Sequence, residues 1–108
     1  MNLPTEIFDT VVVVHTPDEL GAEQADAFRN FVTHLERHYV VVDIDGTESL
    51  DSAGLTALID AQEMLRGIHG DLKISTNNAN NRKVFEMTRL DAHLEIFDSV
   101  IDAVKSYH

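Results

Sequence analysis

The chain contains no cysteine, few basic residues and no long apolar run, and each absence excludes a class of function. Without cysteine it has no disulfides, no thiol nucleophile and no thiolate metal site. Lys and Arg number 8 against 19 Asp and Glu, and the net charge of -11 disfavours nucleic acid and anionic membranes as partners. No stretch approaches the roughly 18 apolar residues of a membrane helix, and the first residues lack the features of a signal peptide. We therefore expect a cytoplasmic protein.

What remains is the composition of one folded domain. A chain of 108 residues suffices for one compact domain with a single core and leaves no room for a second domain. Hydrophobic residues make up 44% and charged residues 25%, which is typical of a globular chain rather than a disordered one. We therefore expect a single domain over residues 1–108, and we find no sign of a cofactor or metal site in the sequence.

Apolar patterning in the first half predicts two strands, a helix and a third strand. Residues 7–8 and 11–15 form two short strands, with Asp9 and Thr10 in a turn between them. Pro17 suits a helix start, and the apolar residues that follow it at helical spacing are Phe28, Phe31, Val32 and Leu35. The β-branched run at 39–44 predicts a central strand that is buried on both faces.

The second half continues the alternation. A helix over residues 52–67 would bury one face, made of Leu58, Ala61, Leu65 and Ile68. Residues 72–75 form a strand, residues 82–88 a short helix and residues 94–97 a further short strand. A last helix has Ser99 and Asp102 at capping-box spacing, with an inward face of Val100, Ile101 and Val104.

The element order β-β-α-β-α-β-α-β-α predicts an α/β domain. Alternation of this kind indicates a central mixed sheet of four to five strands, whose parallel members are joined by helices packed against the sheet. Functional loops in such domains follow the carboxyl ends of strands, and here the loop after Ile44 is in that position. Two different phosphate chemistries can be assigned to this loop.

The first concerns the stretch "DIDGT" at residues 43–47, which resembles the opening motif of haloacid-dehalogenase-like phosphatases. On this hypothesis Asp43 is the nucleophile, Asp45 is the general acid, and Mg²⁺ bridges Asp43 to the phosphate. The strand end "STN" at 75–77, followed by Lys83, is similar to the second motif of that family. The chain would then be a small phosphatase.

Three features argue against the phosphatase hypothesis. In that family the nucleophile strand comes near the start of the chain, whereas 42 residues precede Asp43 here. The family's paired acidic metal ligands have no counterpart, because Asp98 and Asp102 lie one turn apart on a predicted helix. Only 65 residues follow Asp43, which is too few for the usual core and cap. An Asp after a buried strand is more often simply the end of that strand.

The second chemistry rests on a longer pattern. The run "VVVDI" at 40–44, the loop "DGTES" at 45–49, Leu50 and then "DSAGL" at 51–55 resemble, in this order, the STAS domain of anti-sigma factor antagonists. Further on, "HGDLKIS" at 69–75 is similar to the next strand of that family, and "VFEMTRLDAHLEIFDSVIDAV" at 84–104 to its closing segment. The pattern covers nearly the whole chain.

The STAS resemblance implies a binding module of bacterial signalling and transcription regulation, not an enzyme. The unphosphorylated form would bind a serine-kinase anti-sigma factor, and that kinase would phosphorylate Ser52 and end the complex. A serine phosphatase would restore the active form, and the protein itself would be a monomer or a weak homodimer. A scaffold or adaptor role in a larger signalling or transport assembly is the alternative. The contact residues implied are Asp18, Glu19, Asp51, Ser52, Ala53, Gly54 and Thr56.

Ser52 has a simpler explanation from its position alone. A serine at a helix start is by default an N-cap, and Asp51 could cap the helix equally well. If Asp51 is the cap, Ser52 faces outward, and Gly54 keeps the first turn open to a kinase. Thr56, one turn further on, is either a second phosphorylation site or the edge of the contact face. Among the histidines, His34 and His38 share a helical face but lack a third zinc ligand.

Overall fold

The computed structural model describes all residues, Met1–His108, and contains seven strands and four helices. The strands and helices follow one another along the chain as β1 (Thr5–Phe8), β2 (Val11–His15), β3 (Glu19–Leu20), α1 (Ala25–Thr33), β4 (Tyr39–Asp43), β5 (Ser49–Leu50), α2 (Ser52–Arg66), β6 (Asp71–Ser75), α3 (Ala79–Met87), β7 (Ile96–Phe97) and α4 (Val100–Lys105). A short 3₁₀ turn, Leu90–Ala92, separates α3 from β7.

Five of the strands form one mixed sheet, in the order β1-β2-β4-β6-β7. β1 is antiparallel to β2, and the other neighbours are parallel. The register aligns His15, Asp43, Ser75 and Phe97 in one row at the carboxyl end of the sheet. The predicted α/β domain with a mixed sheet and packed helices is therefore confirmed.

The sheet separates two hydrophobic cores of unequal size. Eighteen buried residues fill the face covered by α1, α2 and α3, among them Phe28, Leu58 and Phe85. Four buried residues lie on the other face, where α4 covers Val11, Val13 and Val41. A central strand is in contact with both cores, which is why β4 is a continuous valine run rather than an alternating one.

The predicted hairpin between β1 and β2 is confirmed, although its turn contains no glycine. Phe8 pairs with Val11, so Asp9 and Thr10 form the whole connection. Asp9 has φ 59°, in the left-handed region that glycine would adopt without strain. Aspartate is one of the few other residues that tolerate this conformation, so the turn can form here without glycine.

The helix start predicted at Pro17 is wrong. Glu19 and Leu20 form β3, which pairs in parallel with β5 in a separate two-stranded sheet. The helix α1 begins only at Ala25 and ends at Thr33. Its N-cap residue, Gln24, makes no side-chain cap hydrogen bond, so no capping signal marked the true start in the sequence. Leu35 lies beyond the helix end but still packs against the larger core.

Three details of the second half also differ from prediction. Ile68 is 44% exposed because α2 ends at Arg66, before the side chain could turn inward. Ile101 is 62% exposed, and Ala103 is the buried residue of α4 instead. The helix α3 begins at Ala79 within the polar stretch, because the Asn78 side chain accepts hydrogen bonds from the first free N–H groups.

Candidate functional site

The first turn of α2 presents a serine whose hydroxyl is not used by the fold. The carboxylate of Asp51 accepts a hydrogen bond from the backbone N–H of Gly54 over 3.0 Å, so Asp51 is the N-cap. Ser52 is the first helical residue and is exposed, and its hydroxyl makes no side-chain hydrogen bond within the chain. The sequence allowed either Asp51 or Ser52 to be the N-cap, and in the structure the N-cap is Asp51.

Gly54 is buried, and its missing side chain serves packing. A Cβ atom at this position would overlap the carbonyl oxygen of Leu20. The glycine therefore allows β3 to lie directly against the first turn of α2. Gly21 behaves similarly, because its Cβ would come within 2.7 Å of the Asp51 carboxylate. Gly54 is thus placed at the helix start as expected, but beneath the surface rather than on it.

The small β3-β5 sheet brings Asp18 and Glu19 next to this turn. Glu19 pairs with Ser49, and the carbonyl oxygen of Asp18 accepts from the backbone N–H groups of Glu48 at 2.8 Å and Ser49 at 3.1 Å. Ser49 precedes Asp51 by two residues, so the segments around 18–20 and 48–52 form one continuous surface. These residues are far apart in the sequence, and only the strand pairing joins them.

This surface is acidic. A shallow groove of about 200 Å³ lies beside the helix start, and its lining residues are Glu19, Gly21, Ala22, Glu23, Gln24, Ser49 and Asp51. The lining includes three carboxylates and no Lys or Arg. Asp18 and Glu48 are exposed on the neighbouring segments. A phosphate on Ser52 would therefore meet negative charge from its own chain.

The two remaining predicted contact residues lie in the same turn. Ala53 is half-buried, whereas Thr56 is exposed one turn beyond Ser52. The Thr56 hydroxyl donates to the carbonyl oxygen of Ser52 over 2.9 Å. The structure thus brings Asp18, Glu19, Asp51, Ser52 and Thr56 together at one accessible surface.

Asp43, the nucleophile of the phosphatase hypothesis, has both carboxylate oxygens engaged. One oxygen accepts from the backbone N–H of Asp45 at 3.0 Å, and the other lies 2.9 Å from Nδ1 of His15. The second ring nitrogen of His15 lies 2.7 Å from the Glu6 carboxylate. Burial lowers the pKa of His15, but the hydrogen bonds and charges of Glu6 and Asp43 outweigh burial, so this pKa is raised.

Asp45 is likewise used to hold loops together. One of its oxygens accepts from the Thr76 hydroxyl at 2.8 Å and from the backbone N–H of Asn77 at 2.7 Å. Lys83 is exposed on α3. No three His, Asp or Glu side chains lie together in a way that could hold a metal ion. The acidic pair therefore has a structural role that joins the ends of β2, β4 and β6.

Two buried polar residues support the loop and were not predicted. The amide nitrogen of Asn81 donates to the carbonyl oxygens of Ile44 at 3.1 Å and Thr47 at 3.4 Å. The Thr47 hydroxyl donates to the carbonyl oxygen of Pro17 at 2.6 Å. Asn81 lies in the first turn of α3, within the polar run of the sequence, where nothing distinguishes it from its asparagine neighbours. These bonds fix the loop that leads to Ser52.

None of the four helices combines the length and the apolar character that a membrane span requires. The sequence raised two hypotheses for this region, phosphate chemistry at Asp43 and partner binding at the start of α2. Comparison with known proteins bears on this choice.

The model of the STAS domain family matches residues 2–103 of the chain. A Thermotoga maritima protein named "Putative anti-sigma factor antagonist" is 26% identical over an alignment of 106 residues, and the match covers 94% of this chain and 94% of that protein. The crystal structure of a "putative anti-sigma factor antagonist" from Thermotoga maritima superposes with a TM-score of 0.84 at 23% identity, over 96% of this chain and 92% of that one.

Three more distant structures have the same fold. The Bacillus protein SpoIIAA has been solved unphosphorylated (TM-score 0.76, 15% identity, 98% of this chain and 96% of that chain). It has also been solved phosphorylated (TM-score 0.71, 15% identity, 99% and 100%). A sulfate transporter family protein from Wolinella succinogenes superposes with a TM-score of 0.76 at 16% identity, over 94% of this chain and 87% of that chain.

Proposed function

Because the chain belongs to the STAS domain family, we propose that it is an anti-sigma factor antagonist whose binding is controlled by phosphorylation of Ser52. In this role it is a binding module and not an enzyme. The observation that carries the proposal is the exposed Ser52 with a free hydroxyl, beside an N-cap that does not need it. The curated relative from Thermotoga maritima, which covers 94% of the chain, bears an antagonist name.

The proposed switch acts on the partner rather than on the fold. Phosphoserine adds about -1.5 to -2 charges at pH 7. At the first residue of α2 these charges lie at the positive end of the helix dipole, so the helix tolerates them. Glu19 and Asp51 are negative neighbours, so the phosphate has no basic pocket on its own chain. The added charge is therefore presented to whatever binds this surface.

The partner proposed is a serine-kinase anti-sigma factor. Unphosphorylated chain would bind the kinase and free a sigma factor for transcription, and phosphorylation would end the complex. A serine phosphatase would then restore the binding form. The contact surface consists of Asp18, Glu19, Asp51, Ser52 and Thr56, with Ala53 and Gly54 shaping the turn beneath it. All of these steps would take place in the cytoplasm.

The test is titration calorimetry against serine-kinase anti-sigma factors of the same organism. Ser52→Ala should bind like the wild type but resist phosphorylation. Ser52→Asp should bind roughly a hundredfold more weakly, which corresponds to about 3 kcal/mol at about 1.4 kcal/mol per factor of ten. Thr10→Asp is the matched charge control, because Thr10 is exposed in the turn before β2, at the opposite end of the sheet. Circular dichroism checks that each variant is folded.

Equal affinities of wild type, Ser52→Ala and Ser52→Asp would refute the switch. Ser52 would then be an ordinary surface residue of a constitutive binding module. A loss of affinity in Thr10→Asp as large as in Ser52→Asp would point to net charge alone and would also count against the proposal.

A scaffold role in a larger assembly is the second candidate. The fold shared with the Wolinella succinogenes transporter family protein supports it, although at 16% identity this likeness concerns the fold alone. The two candidates differ in one measurable respect. A scaffold should bind its neighbours regardless of the state of Ser52, whereas an antagonist should lose its kinase when Ser52 becomes charged.

A further inference from the structure

β1 is an edge strand with one unpaired side. It hydrogen-bonds only to β2, and all four of its residues are exposed. The backbone N–H of His15 donates to the carbonyl oxygen of Pro4 at 3.0 Å. This bond identifies which residues of β1 have their main-chain groups hydrogen-bonded to β2, because such residues alternate along an antiparallel strand. By that alternation Glu6 and Phe8 direct their main-chain groups to β2, whereas Thr5 and Ile7 direct theirs away from the sheet. An edge of this kind can accept another strand.

An apolar groove of about 260 Å³ lies beside this edge, between β1 and α4, and its lining residues are Phe8, Val100, Ile101, Val104 and Lys105. Phe8 is 40% exposed and Ile101 is 62% exposed, so both apolar side chains face solvent in a single copy. Lys105 is the only charged residue in the lining. Phe8 belongs to both the edge strand and the groove, which makes them one continuous surface.

We propose that this surface joins a second copy of the chain, with β1 antiparallel to β1 across a twofold axis and Ile7 opposite Ile7 of the second copy. The two sheets would become one, and the two grooves would cover each other. Ser52 is not involved, because α2 packs on the opposite face of the sheet from α4. The dimer therefore does not depend on the proposed function.

The register follows from which way each residue faces. Directly opposite residues in an antiparallel pair share a face. Glu6 and Phe8 are opposite Val13 and Val11, which lie in the core beneath α4, so both face the α4 side. With Ile7 on the axis, Glu6 of the second copy is opposite Phe8 and on the same face as Lys105. One Glu6 oxygen lies 2.7 Å from the His15 ring in its own chain, and each copy thus offers the other oxygen of this carboxylate to the second copy's groove lysine.

The neighbouring register is less favourable. Placing Thr5 opposite Ile7 of the second copy would put the two Glu6 residues directly opposite each other, and like charges in that position destabilise a strand pair. The dimer itself should be weak. The net charge of -11 on each copy opposes association.

Site-directed crosslinking tests the register directly, because the native chain has no cysteine. Ile7→Cys and Thr5→Cys are a matched pair, since both positions are exposed on the same strand. In the proposed register, the Cα atoms of residue 7 in the two copies are about 5.5 Å apart, within disulfide range. The Cα atoms of residue 5 in the two copies are about 13 Å apart. Under mild oxidation, Ile7→Cys should form dimers at least tenfold faster than Thr5→Cys.

Analytical ultracentrifugation tests the groove. The wild type should show a concentration-dependent dimer, and Ile101→Asp should raise its dissociation constant at least tenfold. Met87→Asp is the control, because Met87 is 77% exposed on α3, away from the patch. A wild type that stays monomeric up to about 1 mM overturns the proposal. So does a dimer that Ile101→Asp leaves intact, or an Ile7→Cys variant that crosslinks no faster than Thr5→Cys.

Discussion

The main chain of Gly54 lies so close to the carbonyl oxygen of Leu20 that no Cβ atom fits between them. This contact joins β3 to the first turn of α2, two residues beyond Ser52. The two residues are 34 positions apart in the sequence. The exposed serine is therefore held from beneath by main-chain packing, and its presentation depends on a residue that lies under the surface.

Gly54→Ala should destabilise the protein. The new methyl group must displace either β3 or the start of α2, and overpacking of this kind costs about 1–3 kcal/mol. Gly46→Ala is the control, because the nearest atom to a Cβ there is the Thr16 carbonyl oxygen at 3.8 Å. Urea unfolding should show a clear loss for Gly54→Ala and a change within about 0.5 kcal/mol for Gly46→Ala. Equal effects would mean that the contact with Leu20 relaxes without cost.

Removing the cap should also lower stability. Asp51→Ala leaves the Gly54 N–H without its acceptor, which should cost about 1 kcal/mol in the free energy of unfolding. Asp51→Asn keeps a side-chain oxygen and should retain most of the wild-type stability. Ser52→Ala removes no hydrogen bond made by the side chain, so thermal unfolding should change little. A larger loss for Ser52→Ala than for Asp51→Ala would reverse the assignment of the cap.

Asp43 and Asp45 should be dispensable for partner binding and should support no catalysis. Purified protein should not hydrolyse a generic phosphate ester in the presence of Mg²⁺, and Asp43→Asn should leave partner binding largely intact. Asp45→Ala removes the acceptor of two hydrogen bonds from Thr76 and Asn77, so unfolding should become about 1–3 kcal/mol easier. Turnover that disappears in Asp43→Asn would restore the phosphatase hypothesis.

Stability should depend on pH through His15. Its pKa is raised in the folded state, so protonated His15 stabilises the fold below its unfolded pKa of about 6.5, and this contribution is lost as pH rises through the folded pKa. The pairing is partly exposed, so the effect should stay below about 1 kcal/mol. Relative to His15→Gln, the wild type should be more stable near about pH 6 than near about pH 8. A constant difference across this range would contradict the raised pKa.

Some parts of the fold and the site could be predicted because they depend on residues that are close together in the sequence. The sequence narrowed the helix cap to Asp51 or Ser52 without deciding between them, and the valine run of β4 indicated burial on both faces directly. The error at residues 17–20 has the opposite origin. β3 is only two residues long and forms because it pairs with Ser49 and Leu50. No local sequence pattern predicts this pairing.

Other site features depended on contacts that join distant segments. His15 meets Asp43 across 28 positions, and Asn81 reaches the carbonyl oxygen of Ile44 across 37. Each of these residues has an unremarkable neighbourhood in the sequence. The exposure of Ile101 has a similar cause, because the orientation of a six-residue helix is set by the sheet beneath it rather than by its own short periodicity.

The two cores differ in size, so the helices on the two faces of the sheet should open at different rates. The core on the α4 side has only four buried residues, one of which is Ala103 of α4 itself. Beyond them, the Tyr107 hydroxyl donates to the carbonyl oxygen of Val40, and Lys73 donates to the Ser106 hydroxyl. Segments with few buried contacts open without global unfolding. Amide hydrogen exchange should therefore detect α4 lifting from the sheet while α2 and the central strands stay protected. The Ser52 surface would keep its shape during such openings, because it is built on the more slowly exchanging face.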